Sequence, residues 1–215
     1  MNIRMIATAL AVTTSTALAA TAVPAQASEA GSAPCPGTTS LAAVLAADGH
    51  HFDGNWNDFD IVDRAVSTVL QAKPGSAVAV LADGSQRVTA FLPTDRAFRR
   101  LVTDLTGTRP AGERATFRAV AHSFDVDTIE AVLLYHVVPG ATITYAQARR
   151  ADGASLPTAL SGASVRVHVV DGRVKLRDLD PDAANARVLP GARNLNRGNK
   201  QIAHGISRVL RPVDL

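Results

Sequence analysis

The sequence predicts an α+β fold, and three observations predict it. Apolar residues recur at helical spacing through the first two-thirds of the chain, while strict alternation around two-residue turns is clearest in the last third. With 47% hydrophobic and 19% charged residues among 215 positions, the chain also has enough apolar material for one packed domain. A single cysteine excludes an internal disulfide framework and a cysteine-rich zinc centre. The formal net charge of +3 is near neutral for this length, so composition implies no nucleic-acid partner.

The chain begins with a short cationic start ending at Arg4, then an apolar stretch from Met5 to Val23 and the small-residue sequence Ala25-Gln26-Ala27. This reads as a secretory signal over 1–27 rather than a membrane anchor, because Ala, Thr and Ser dilute its hydrophobicity. No stable membrane insertion is expected after cleavage. Residues 28–56 are expected to be a flexible N-terminal segment and 57–215 the compact domain. Within the flexible segment, Cys35 reads as a tail thiol without an intramolecular partner, and Leu41, Val44 and Leu45 predict a short helix over 38–47.

Asp58 or Asp60 can cap a helix whose stripe is Ile61, Val62, Ala65, Val66, Val69 and Leu70, stopped by Pro74-Gly75. Two apolar runs, 77–82 and 87–92, flank Asp83-Gly84 and read as a hairpin. After Pro93, Thr94 caps a helix carrying Phe98, Leu101, Val102 and Leu105 on one stripe, with Arg96, Arg99 and Arg100 off it. Residues 110–122 predict another helix, and Asp127-x-x-Glu130 the start of a further one. The chain turns extended at Val137-Val138-Pro139, where β-branched residues precede a proline. Val165, Val167 and Val169 alternate with Arg166, His168 and Val170 up to Asp171-Gly172, and a two-residue turn there pairs Val169 with Val174 and Val167 with Leu176. Val188-Leu189 and 206–210 offer the last strands.

Three segments, in order, carry a family resemblance: Val88-Thr-Ala-Phe-Leu-Pro-Thr-Asp-Arg-Ala-Phe98, Leu133-Leu-Tyr-His-Val-Val-Pro-Gly140, and Ile202-Ala-His-Gly-Ile-Ser-Arg-Val-Leu-Arg-Pro212. Together they resemble the fasciclin domain family, over about Asn57 to Pro212. The resemblance implies a wedge-shaped β-sandwich flanked by several helices, and extracellular or cell-surface adhesion rather than catalysis. It also implies Tyr135-His136 as the family's adhesive motif. The chain departs from the pattern at Lys200-Gln201, where Asn-Gly is usual, and in lacking the upstream acidic-isoleucine pair of animal members; integrin binding is not expected.

Read from the residues alone, Tyr135-His136 sits among Leu133, Leu134, Val137 and Val138, a setting that favours burial and internal hydrogen bonding. Arg96, Arg99 and Arg100, with Arg114 and Arg118, offer either an ordinary solvated face or a patch that attracts an anionic glycan or cell-envelope polymer. His50 and His51 with Asp53, Asp58 and Asp60 are metal-ligand types without a fixed element to space them, so no metal is expected. His122, Ser123 and Asp125 contain triad types but no nucleophile motif, and Gly191 to Lys200 lacks phosphate-loop spacing. The expectation is therefore a non-enzymatic, cofactor-free domain that binds an extracellular protein or glycan. The alternative is an extracellular carrier holding a small apolar ligand in a cleft, which a contiguous apolar pocket would favour. Abundant arginine and scarce lysine fit a GC-rich bacterial genome on composition alone.

Overall fold

In the computed structural model, which describes residues 35–49 and 51–213, the first helix is α1 (Leu41–Leu45), capped by Ser40, whose Oγ accepts the Ala43 N–H. The signal reading lies outside the described residues. The flexible-segment reading for 28–56 is corrected over its described part: Leu41 and Leu45 are buried in the domain core, and Gly37 bridges to Asn199. Apolar burial and hydrogen bonds to the last strand fix a stretch whose composition alone reads as a tail.

Helix α2 (Asp60–Ala72) carries the expected stripe, with Ile61, Val62, Ala65, Val66 and Val69 buried. Burying each aliphatic side chain of Val or Ile size stabilises by about 1.5–3 kcal/mol. Its cap differs from expectation. Neither Asp58 nor Asp60 caps by side chain; the Ile61 N–H is taken by Asp95 Oδ1 at 3.0 Å, from the first residue of α3 (Asp95–Thr106).

The hairpin expected over 77–92 does not form. Residues Ala77–Ala82 make a 3₁₀ helix started by Ser76, and only the second run becomes a strand, β1 (Val88–Pro93). Gly84 lacks the positive φ of a two-residue hairpin turn. It serves close approach instead, since a Cβ there would lie 1.7 Å from the Thr38 carbonyl oxygen. An apolar run this short does not distinguish strand from buried helix by itself.

Helix α4 (Glu113–Ser123) and α5 (Val126–Tyr135) follow. Asp125, rather than Asp127, caps α5 by accepting the Thr128 N–H at 2.7 Å. Strand β2 (Val137–Pro139) then pairs antiparallel with β1, and β7 (Gln201–Ile206) pairs parallel with β1 on its other side. The closing strand thus starts five residues before the expected 206–210. A second sheet has the order β3 (Ser155–Pro157), β4 (Ser164–Val170), β5 (Arg173–Arg177), β6 (Ala186–Arg187), after a short helix α6 (Tyr145–Ala148).

The alternation of β1 divides the interior. Val88, Ala90 and Leu92 join the core formed with the helices, while Phe91 joins a second core between the sheets with Val165, Val167, Val174, Leu176 and Ile206. The expected hairpin is present in its expected register, Val169 opposite Val174 and Val167 opposite Leu176. Asp171 and Gly172 both have positive φ, 50° and 68°, as the turn demands. Gly172→Val should therefore cost about 1–2 kcal/mol through backbone strain. An unchanged urea midpoint would contradict that.

Candidate functional site

The off-stripe arginines of α3 come together. Arg96, Arg99, Arg100 and Thr103 recur at i, i+3, i+4, i+7, opposite the face that buries Phe98, Leu101 and Val102. With Arg109, Trp56 and Asp104 they line an open cleft of about 410 Å³. Arg114 and Arg118 are not part of its wall; Arg114 lies over the Phe52 ring instead.

Two of these guanidinium groups are held in place. Arg99 Nε donates to the Pro110 carbonyl at 2.9 Å and its plane sits 4.1 Å from the Trp56 ring centre. Arg100 donates to the Ser207 carbonyl at 2.9 Å. Partial burial and neighbouring Arg109 and Arg96 lower the Arg99 pKa; burial and then Arg208, Arg96 and Arg187 do the same to Arg100. Like charges crowd here. The cleft's one carboxylate, Asp104, is engaged by Arg208 at 2.9 Å and by Arg211 at 3.5 Å.

Tyr135 and His136 are enclosed, with 0% and 4% of their surface exposed, so neither presents a contact face to a partner in this conformation. The Tyr135 hydroxyl donates to the Ser164 carbonyl at 3.1 Å, tying the end of α5 to the second sheet. The Leu210 N–H donates to His136 Nε2 at 2.9 Å, which leaves the proton on Nδ1 to be donated to the Val132 carbonyl at 2.7 Å. The imidazole is neutral; burial pushes its pKa from 6.5 down to about 4.

His122, Ser123 and Asp125 share no hydrogen bond among the described residues, and Asp125 is occupied as a helix cap. Of the metal-ligand candidates, His50 lies outside the described residues. Asp53, Asp58 and Asp60 do converge, each offering an oxygen within 4.8 Å of the others. A second group, Asp58 with Asp95 and Glu113, does the same. Asp95 and Glu113 are not among the sequence candidates, because they lie far from Asp58 in the chain and only the fold brings the starts of α3 and α4 beside it. An apolar cavity lined by Val66, Leu92, Phe98 and Leu133 lies against His136, with about 40 Å³ of space for water. That admits a few water molecules, far below the roughly 300–1,000 Å³ of small-molecule pockets.

The Fasciclin domain family profile matches residues 65–212, more than half of the sequence. The chain belongs to the fasciclin family. Among solved structures, the fasciclin chain is similar to a FAS1 domain pair from the insect cell adhesion molecule Fasciclin I, with 15% identity and a TM-score of 0.55. The similarity covers 81% of this chain and 51% of that one, so this chain spans about half its length. The likeness is one of fold; in this chain the helices share a core with the β2-β1-β7 sheet, and the β3-β4-β5-β6 sheet contributes to the second core. No curated protein matches the sequence. Among the described residues, no helix is long and apolar enough to cross a membrane.

Proposed function

We propose that this fasciclin domain acts outside the cell as a non-catalytic adhesion module, gripping an anionic glycan or cell-envelope polymer in the arginine cleft. The observation that carries this reading is the convergence of Arg96, Arg99, Arg100 and Arg109 beside Trp56, where no carboxylate forms an ion pair with any of the four among the described residues. Guanidinium groups fixed by backbone carbonyls are pre-organised for sulfate, phosphate or carboxylate oxygens. An open cleft beside an aromatic ring suits a chain of sugars better than an enclosed small molecule. The secretory reading of 1–27 and the adhesion role named for the structurally similar insect protein support the extracellular setting.

The test is retention of the purified protein on immobilised dextran sulfate, uncharged dextran and isolated cell envelopes at two salt concentrations. Dextran sulfate and envelopes should hold the protein at low salt and release it at high salt. Combined Arg96→Glu and Arg109→Glu, both at exposed positions, should weaken binding by about tenfold or more with little change in melting temperature. Retention indifferent to salt and to both substitutions would remove the cleft from the account.

A further inference from the structure

Helices α2, α3 and α4 begin with Asp60, Asp95 and Glu113, and the loop before α2 brings Asp53 and Asp58 to the same place. Asp95 is fully enclosed and Glu113 is 3% exposed. One oxygen of each is already used: Asp95 Oδ1 accepts the Ile61 N–H at 3.0 Å, and Glu113 Oε2 accepts the Gly54 N–H at 2.9 Å. The other oxygens, Asp95 Oδ2 and Glu113 Oε1, have no hydrogen-bond partner among the described residues, and neither does Asp58 Oδ1.

The bases in the neighbourhood do not answer these charges. Arg64 and Arg114 lie over the Phe52 ring and Arg99 over Trp56, and among the described residues no ion pair reaches Asp58, Asp95 or Glu113. The positive ends of three helices ease the repulsion, but they supply a donor to only one oxygen of Asp95. Burial, followed by the surrounding carboxylates, raises the affinity of Asp95 and Asp58 for a proton. A proton shared between that pair satisfies two oxygens and leaves Glu113 Oε1 alone. A cation bound where the three carboxylates converge would answer all of them.

We propose that Asp58, Asp95 and Glu113, with Asp53 at the mouth, form a binding site for a hard divalent cation, calcium first. The donors are all oxygens, which disfavours soft metals. Their mutual separation, within 4.8 Å, fits oxygens arranged about one centre at a calcium–oxygen distance of roughly 2.4 Å. Glycine and asparagines at 54, 55 and 57 give an adaptable ligand loop, better matched to calcium's irregular shell than to the strict octahedron of magnesium. The cation would fasten the 53–58 loop to α3 and α4, reinforcing backbone bonds already made from Asp95 N–H to the Asp58 carbonyl and from Arg96 N–H to the Trp56 carbonyl. The site stands independently of the anionic-polymer reading.

Calcium chloride titrated into the metal-stripped purified protein by calorimetry, with parallel melting curves at constant ionic strength, tests the assignment. The unsubstituted protein should bind one calcium ion and melt at rising temperature as calcium is added. Asp95→Asn and Glu113→Gln each retain the oxygen that accepts a backbone N–H, so the fold should survive, and each should weaken calcium binding at least tenfold. If one variant fails to fold, the other carries the readout. No calcium-dependent heat or melting shift in the unsubstituted protein would overturn the site and assign the cluster to a shared proton. Undiminished affinity in both variants would overturn it equally, placing calcium elsewhere.

Discussion

His136→Ala lowers the stability of this fold by about 3–5 kcal/mol, measured by chemical denaturation at pH 7.5. The ring bridges the last turn of α5 to the chain beyond β7, taking the Leu210 N–H and donating to the Val132 carbonyl. Its removal leaves a buried backbone donor without a partner and enlarges the apolar cavity that already lies against the ring. Each defect costs free energy separately. The same ring shapes the response to acid. Because burial holds its folded pKa near 4 against 6.5, the unfolded chain takes up a proton in that interval that the folded chain refuses. Stability from this group is whole above about pH 6.5, declines as pH falls, and levels off below 4, a loss of about 3 kcal/mol. His204, lowered in the same direction by burial, adds to the trend. The raised pKa values of Asp58 and Asp95 oppose it, since those groups favour folding as they protonate. The decisive quantity is therefore the difference between the parent and His136→Ala. The gap in stability should shrink from pH 7 to pH 4.5; a constant gap would show that the imidazole does not titrate on unfolding.

Gln201→Leu costs about 2–5 kcal/mol and loosens residues 35–49. The Gln201 side chain is fully enclosed at the start of β7. Its carbonyl accepts the Leu41 N–H at 2.7 Å, and its amide donates to the carbonyls of Val80 at 2.7 Å and Asp83 at 2.8 Å. Leucine keeps most of the volume and none of these bonds, leaving the Leu41 N–H without its partner and removing the second donor from the Val80 and Asp83 carbonyls, which still accept the Asp83 and Gln86 N–H groups. Limited proteolysis should then cut within 35–49 before the rest of the domain, while circular dichroism retains the helices of the core. Equal protection of that segment in parent and variant would show that apolar burial of Leu41 and Leu45 suffices to hold it.

Gln201 also illustrates what a departure from a family pattern can mean. In the sequence, Lys200-Gln201 is only a missing Asn-Gly. In the fold, Gln201 is one of the fastenings of the N-terminal segment, beside the bonds from Gly37 and Thr39 to residues 196–200. The reverse holds for Tyr135-His136, where an apolar sequence setting was sufficient grounds to expect enclosure, and the structure supplies the partners Ser164, Val132 and Leu210. The arginines of α3 were legible as one face because helical spacing is a local property. That Arg109 and Trp56 complete the cleft was not, since each reaches it through a loop.

By itself the sequence determined the α+β class, helices α2 and α3, the register of the β4–β5 hairpin and the family. Each rests on periodicity or turn chemistry contained within a few residues, or on motifs that stand in order along the chain. Tertiary structure alone decided that 77–82 coils rather than pairs, that β1 takes β7 as its parallel neighbour, and that Asp58, Asp95 and Glu113 meet. Those outcomes depend on which distant groups become neighbours once water is excluded, and the energy that selects them belongs to the packed assembly rather than to any one segment.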